Sequence, residues 1–163
     1  MSILFMDEGE YCPEQNVKSS SFYTVGAWVR CEVCEKKTRV AALAVPTAHQ
    51  MFDEEVSSWD LAQSPALLFD LSQVPKSVLR HVRRVASGFR QSIFEFDAWR
   101  NHCSHCGVEL DEQYLHCEPG VAFVPTTREE AAKITLRLVE QPLSIWANGY
   151  APAPEFFDDF ARP

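Results

Sequence analysis

Long apolar runs are missing from this chain. The longest, such as Val40 to Pro46, fall far short of the ~20 residues that a membrane-spanning helix needs. A basic leader is missing too: Met1-Ser2-Ile3-Leu4-Phe5-Met6-Asp7-Glu8 turns acidic at once, unlike a secretory signal. The expectation is a cytoplasmic protein with no membrane span. Positive charge is in deficit, with 15 Lys+Arg against 23 Asp+Glu and a net charge of −8. Phosphate contacts dominate non-specific nucleic-acid affinity, so that balance disfavours DNA or RNA as a partner and suits a basic protein. There is no phosphate loop, no G-x-S-x-G, no H-E-x-x-H and no dinucleotide fingerprint. No pair of carboxylates sits in a context that suggests a buried, tuned acid–base site. Repeats, low-complexity segments and a domain linker are also absent.

What is present is an ordinary globular composition, 46% hydrophobic and 23% charged over 163 residues, enough for one domain with a real core. Six cysteines stand at 12, 31, 34, 103, 106 and 117. A reducing compartment argues against structural disulfides. Four of the six form two C-x-x-C pairs, Cys31-Glu-Val-Cys34 and Cys103-Ser-His-Cys106. Each such turn can present two thiolates to one ion, and two turns complete the tetrahedron of a structural zinc site. The expected metal ligands are therefore Cys31, Cys34, Cys103 and Cys106, with one structural Zn2+ as cofactor. A redox role is the alternative for a C-x-x-C pair, but the thioredoxin-like βαβ pattern is absent. Iron also suits four thiolates. Gly107 follows the second pair, where the backbone must bend sharply, while Glu35 stands at the matching place after the first.

The pairs are separated by 68 residues, 35–102, against ~15–20 in a simple ribbon. A split ribbon is expected, because a similar strand with a tryptophan precedes each pair (Trp28 and Trp99). The expected fold is α+β: a small antiparallel sheet with two zinc knuckles and an inserted strand–helix–strand unit. Residues 1–163 read as a single domain. Within it, 1–25 is a loosely structured lead-in, 26–46 and 99–124 are the ribbon halves, 47–98 is the insertion, and 125–163 holds C-terminal strands and a short helix. In the insertion, 47–64 reads as a loop or short helix and Ala66–Leu71 as a strand. Pro75 and Gly88 bracket a helix whose apolar face is Val78, Val82 and Val85. Gln91–Trp99 reads as a strand, 107–124 as a turn and short strands, and Ile134–Val139 as a strand. Thr127 and Glu130 suggest a capping box, and Phe156, Phe157 and Phe160 share one face of a final helix.

His102 and His105 could hydrogen-bond a thiolate, although exposed or packed histidine is the simpler reading. A second metal site at His116-Cys117 is disfavoured, because adjacent strand residues point to opposite faces; Cys117 reads as a small buried residue. Cys12 has no assigned role. Lys36, Lys37, Arg39, Lys76, Arg80, Arg83 and Arg84, with His81 and Arg90, could form a basic patch, or simply pair with Asp53, Glu54 and Glu55. The four tryptophans are expected in the core.

These pieces resemble a group of uncharacterised bacterial proteins with a split four-cysteine zinc ribbon. The likeness lies in Trp28-Val-Arg-Cys-Glu-Val-Cys-Glu-Lys-Lys-Thr, the helix around Val78 and Asn101-His-Cys-Ser-His-Cys-Gly, with Glu118-Pro-Gly and Phe123-Val-Pro beyond. The resemblance implies a zinc-binding α+β domain and brings no activity. The functional expectation is a non-enzymatic, zinc-stabilised protein-interaction module, for example an immunity or inhibitor protein that masks a basic toxin or nuclease. The alternatives are a nucleic-acid-associated zinc ribbon using Lys36, Arg39, Arg80 and Arg84, and an enzyme with an unrecognised site.

Overall fold

The computed structural model describes residues 13–163. Its framework is a mostly antiparallel sheet with few helices. The strands are β1 (Val17–Ser19), β2 (Phe22–Arg30), β3 (Lys37–Val45), β4 (Gln50–Asp53), β5 (Ser58–Leu61), β6 (Ala66–Ser72), β7 (Phe89–Gln91), β8 (Trp99–Asn101), β9 (Thr135–Val139) and β10 (Leu143–Pro152). The helices are α1 (Lys76–Val85), α2 (Glu112–Cys117) and α3 (Arg128–Ala131), and a 3-10 turn spans Phe157–Asp159. The strand order is β5-β4-β1-β10-β6-β3-β2-β9, and the β7–β8 hairpin branches from β6.

The apolar run in β3 explains the layering. Val40 to Val45 is buried without a break. Side chains alternate across a strand, so such a run needs cover on both faces of the sheet. Ala41, Leu43 and Val45 pack with Phe22, Leu68, Ile145 and the α1 residues Val78 and Val82. Val40, Ala42 and Ala44 pack on the other face with Val25, Leu115, Phe123, Leu136 and Phe157. One face is therefore roofed by α1, the other by α2, α3 and the C-terminal segment.

Several sequence expectations need correction. The lead-in does not extend to residue 25: Val17 pairs with Ile145 and Met51, and Phe22 is fully buried at the start of β2. Residues 47–64 hold the β4–β5 hairpin, whose acidic run forms the turn, with Asp53 Oδ1 accepting from the Glu55 amide. Gln91–Trp99 is two short strands joined by a loop. A helix, α2, replaces the short strands expected in 107–124, because Asp111 caps it by accepting from the Gln113 and Tyr114 amides. The segment between the cysteine pairs contributes β6, which lies centrally between β10 and β3. None of the tryptophans is buried: Trp28 is exposed and the other three are half-buried. The helix at 76–85, the strand at 135–139 and the Thr127 cap, whose Oγ1 accepts from the Glu130 amide, agree with the sequence reading.

Candidate metal centre

The first cysteine pair sits in the turn between β2 and β3. There the Cys31 amide donates to the Lys36 carbonyl and the Glu35 amide to the Cys31 carbonyl. The second pair repeats the pattern, with the Cys103 amide donating to Val108 and the Gly107 amide to Cys103. The residue after each pair adopts the left-handed conformation, with φ 64° at Glu35 and 80° at Gly107. Each turn thereby aims its two sulfurs the same way.

The turns face one another. Cys34 Sγ lies 3.6 Å from Cys103 Sγ, and Cys31 Sγ lies 3.7 Å from Cys106 Sγ. All four sulfurs fall within 4.8 Å of one another. A tetrahedron with metal–sulfur arms of ~2.3 Å has edges of ~3.8 Å, so both crossed pairs match it closely. The four cysteines could hold a metal ion, and this geometry fits the donor set expected for zinc or iron. Cys31 and Cys103 are buried, Cys34 is half-buried and Cys106 is exposed, which places the cluster at the sheet's end with one side to solvent.

The protein environment treats the thiols unequally. Burial opposes ionisation of Cys103. The Cys106 and His105 amides and the thiols of Cys34 and Cys31 outweigh it and bring Cys103 down to about 6. At Cys106 the Val108 amide favours the thiolate. Burial and the three other sulfurs prevail, and push it up to about 11.

Two contacts dock the second turn on the first: Thr38 Oγ1 accepts from the Ser104 amide at 3.0 Å, and the His105 ring meets the Lys37 carbonyl at 3.0 Å. Arg90, on β7, holds the second turn by donating to the Gly107 carbonyl at 3.1 Å. Neither histidine ring bonds a thiolate. His102 Nδ1 faces two carbonyls, Gly88 at 3.2 Å and Arg100 at 3.1 Å, and so carries the proton there.

Beneath the turns runs a buried polar frame that the sequence did not announce. β6 pairs with β3 only over Leu43–Val45. The Asn101 side chain meets Ala41 instead, accepting from its amide at 2.8 Å and donating to its carbonyl at 2.9 Å. Asn101 also binds Glu112 through its own amide at 2.6 Å. Burial pushes the Glu112 carboxyl up to about 8, against the Asn101 groups that favour its charge. One helical turn on, His116 is stacked between Phe69 and Phe123 at 4.2 and 4.5 Å, and burial lowers it to about 3. Arg100 joins Asp70, Glu95 and Glu109 at 2.9 to 3.0 Å. Burial opposes its charge, but these three carboxylates hold it above its ordinary value.

The remaining candidates separate. Cys117 is exposed at the end of α2 rather than buried in a strand, and its neighbour His116 is buried, so the two do not make a metal pair. Cys12 lies outside the described residues. Asp53, Glu54 and Glu55 make no ion pair with α1. Among the described residues, ion pairs of arginine use Arg100 and Arg128, and Arg39, Arg80, Arg83 and Arg84 take part in none. No family model, curated protein or solved structure matches the chain. No helix among the described residues is long and apolar enough to cross a membrane.

Proposed function

We propose that this chain is a non-enzymatic protein-interaction module whose β2–β3 and β8–α2 ends are clamped by one structural zinc ion. Four thiolates leave zinc no open position for water, so the metal supports folding and not chemistry. The observation that carries the docking role is the β7–β8 loop. Ile93, Phe94 and Phe96 are 80%, 75% and 101% exposed there, all within one short loop. Apolar side chains of that size, clustered in solvent, mark contact surfaces.

The loop is also held in shape. Ser92 Oγ accepts from the Phe94 and Glu95 amides, Glu95 binds Arg100, Gln73 donates to Asp97, and Glu109 accepts from the Ile93 amide. An anchor fixed before binding loses little freedom on docking. The net charge of −8 around it suits a partner with an apolar pocket and a basic rim. A basic toxin or nuclease masked by an immunity or inhibitor protein is the partner class that charge and size favour.

Metal analysis tests the first half: one zinc per chain in the purified protein, lost together with the fold in Cys103→Ser. Iron in place of zinc, or zinc retained in that variant, would sink the shared zinc site. Affinity capture tests the second. A defined basic protein should be retained by the wild type and lost from the combined variant Ile93→Ser, Phe94→Ser, Phe96→Ser, which keeps its metal and its melting temperature. Equal capture by both would remove the loop from the function.

A second reading is a nucleic-acid-associated zinc ribbon. The observation in its favour is that Arg39 and Arg84 line one cavity with Arg137 and with no aspartate or glutamate side chain among the lining residues. Binding that weakens steeply with salt would support it.

A further inference from the structure

The face of the sheet that α1 covers holds a second organised site, away from the cysteines. In the β2–β9 pairing Thr24 lies opposite Arg137, and Gly26 lies opposite Thr135. Arg39 lies beside them on β3, its Nη2 donating to Thr135 Oγ1 at 2.8 Å. From above, α1 lowers His81 and Arg84 onto the same space. Together they line a cavity of about 250 Å3, with Pro163 at its edge.

Three properties set this cavity apart from a solvated basic face. First, it gathers three guanidinium groups, and none makes an ion pair among the described residues. Arg84 and Arg137 are exposed and Arg39 is not, and like charges gathered around one space repel one another unless an anion joins them. Arg39 is half-buried, and burial holds its guanidinium below its ordinary value. Second, Thr24 is one of the lining residues, is 2% exposed, and its buried Oγ1 has no hydrogen-bond partner. A buried hydroxyl without a partner costs about 1–3 kcal/mol, and a ligand oxygen in the cavity would remove that cost. Third, a Cβ at residue 26 would strike Arg39 Nη2, Val85 Cγ1 and Thr135 Oγ1. Glycine there is what lets Arg39 lie down into the site.

We propose that this cavity binds a dianionic phosphoryl group, either as free phosphate or as the terminal phosphate of a small monoester. Guanidinium forks match the spacing of phosphate oxygens, and several arginines around one group neutralise a double charge that a carboxylate could not supply. Thr24 donates its hydroxyl to one oxygen. Arg39 approaches from the sheet, Arg137 from the edge strand and Arg84 from the helix. Trp28 lies over Arg39, its ring centre 5.3 Å from the guanidinium carbon, and gives the organic part of a monoester an exposed aromatic surface next to the site. The site stands independently of the docking loop and of the metal assignment.

Calorimetric titration of the metal-loaded, full-length chain tests this at fixed ionic strength, with inorganic phosphate, glycerol phosphate and an oligonucleotide carrying only diester phosphates. Saturable binding with one site per chain is expected for the first two. Arg84→Gln and Arg137→Gln, both at exposed positions, should each weaken it about tenfold or more, the scale of a lost charge-assisted contact. Thr24→Val should weaken it by less, and Arg83→Gln, on α1 but outside the cavity, should leave it unchanged. Circular dichroism and metal content establish that the variants are folded. Tighter binding of glycerol phosphate assigns the monoester, and equal or weaker binding assigns free phosphate. No saturable heat, indifference to both arginine substitutions, or equal competition by the diester oligonucleotide would overturn the proposal; the last outcome would hand the cavity to a nucleic-acid backbone.

Discussion

Glu35 and Gly107 occupy the same place in the two cysteine turns, each following the second cysteine of its pair, and each has positive φ, 64° and 80°. Only glycine adopts that region without strain; another L-residue is disfavoured by about 1–2 kcal/mol. The first turn therefore forms against its own sequence, while the second forms with it. Glu35→Gly should raise stability by about 1 kcal/mol, partly offset by the extra freedom of glycine in the unfolded chain. For a domain of this size that is a rise of roughly 2–4 °C in melting temperature. Gly107→Ala should lower it by a similar amount. Thermal melts of the metal-loaded proteins read both, and a destabilised Glu35→Gly would show that the Glu35 side chain contributes something the turn geometry does not.

Gly88 serves a different end from the one its position suggests. It lies beyond Ala86, where α1 has already ended in extended backbone. Its carbonyl accepts from the His102 amide at 2.8 Å, and a Cβ on it would collide with the His102 carbonyl. His102 is the residue before Cys103, so this contact sets the entry to the second cysteine turn. Gly88→Ala should cost about 2–4 kcal/mol, as overpacking against rigid backbone does. It should also weaken metal retention in competition with a chromogenic chelator. Unchanged metal retention in a folded variant would separate the glycine from the metal turn.

How much of this was legible beforehand follows from which interactions are local. The two C-x-x-C pairs, the valine face of α1 and the Thr127 cap are short-range patterns, and each is visible in a few residues. The alternation at the start of β9 is legible because Ile134 and Leu136 are buried while Thr135 and Arg137 are less so. β3 does not alternate, since both faces of the sheet are roofed, and its run of apolar residues cannot say what covers it. The β4–β5 hairpin hides in a polar stretch because its strands lie at the sheet margin, where Phe52 and Trp59 meet at 5.5 Å. α2 is readable in Asp111, an N-cap residue, followed by Glu112 in the first turn. Asn101 gave no signal at all: its role depends on β6 stopping short of Ala41, a fact about pairing 60 residues away in sequence.

That dependence makes Asn101 a sensitive position. Its side chain is fully buried and serves the Ala41 amide, the Ala41 carbonyl and the Glu112 carboxyl together. Asn101→Ala leaves the Ala41 amide and carbonyl without a partner, each costing about 1–3 kcal/mol, and leaves Glu112 with the Asn101 backbone amide alone. The expected loss is at least about 3 kcal/mol in chemical denaturation, far more than for Asn148→Ala, an exposed site whose side chain donates to the Asp70 carbonyl. A loss under about 1 kcal/mol would mean that water or a shifted β6 replaces the amide.

Glu112 and His116 give the fold a pH profile whose two limbs have separate origins. Glu112 is raised from 4.5 to about 8 by burial. Between those values the unfolded chain releases a proton that the fold retains, so stability falls as pH rises. His116 is lowered from 6.5 to about 3 by burial. Between those values the unfolded chain takes up a proton that the fold refuses, so stability falls as pH falls. The slopes oppose one another between 4.5 and 6.5, where stability should be level. From 6.5 towards 8 only Glu112 acts, and stability should drop by about 1–2 kcal/mol at up to ~1.4 kcal/mol per pH unit. The two groups lie 3.8 Å apart, and a proton passing between them leaves the count for the pair the same. Glu112→Gln keeps the shape of the side chain and removes its titration, so the alkaline limb should flatten, while the His116 limb, no longer opposed, should extend up to pH 6.5. Urea melts of both proteins from pH 5 to 8.5, with metal in slight excess, read the difference. An alkaline limb that persists in Glu112→Gln would place the titrating group elsewhere.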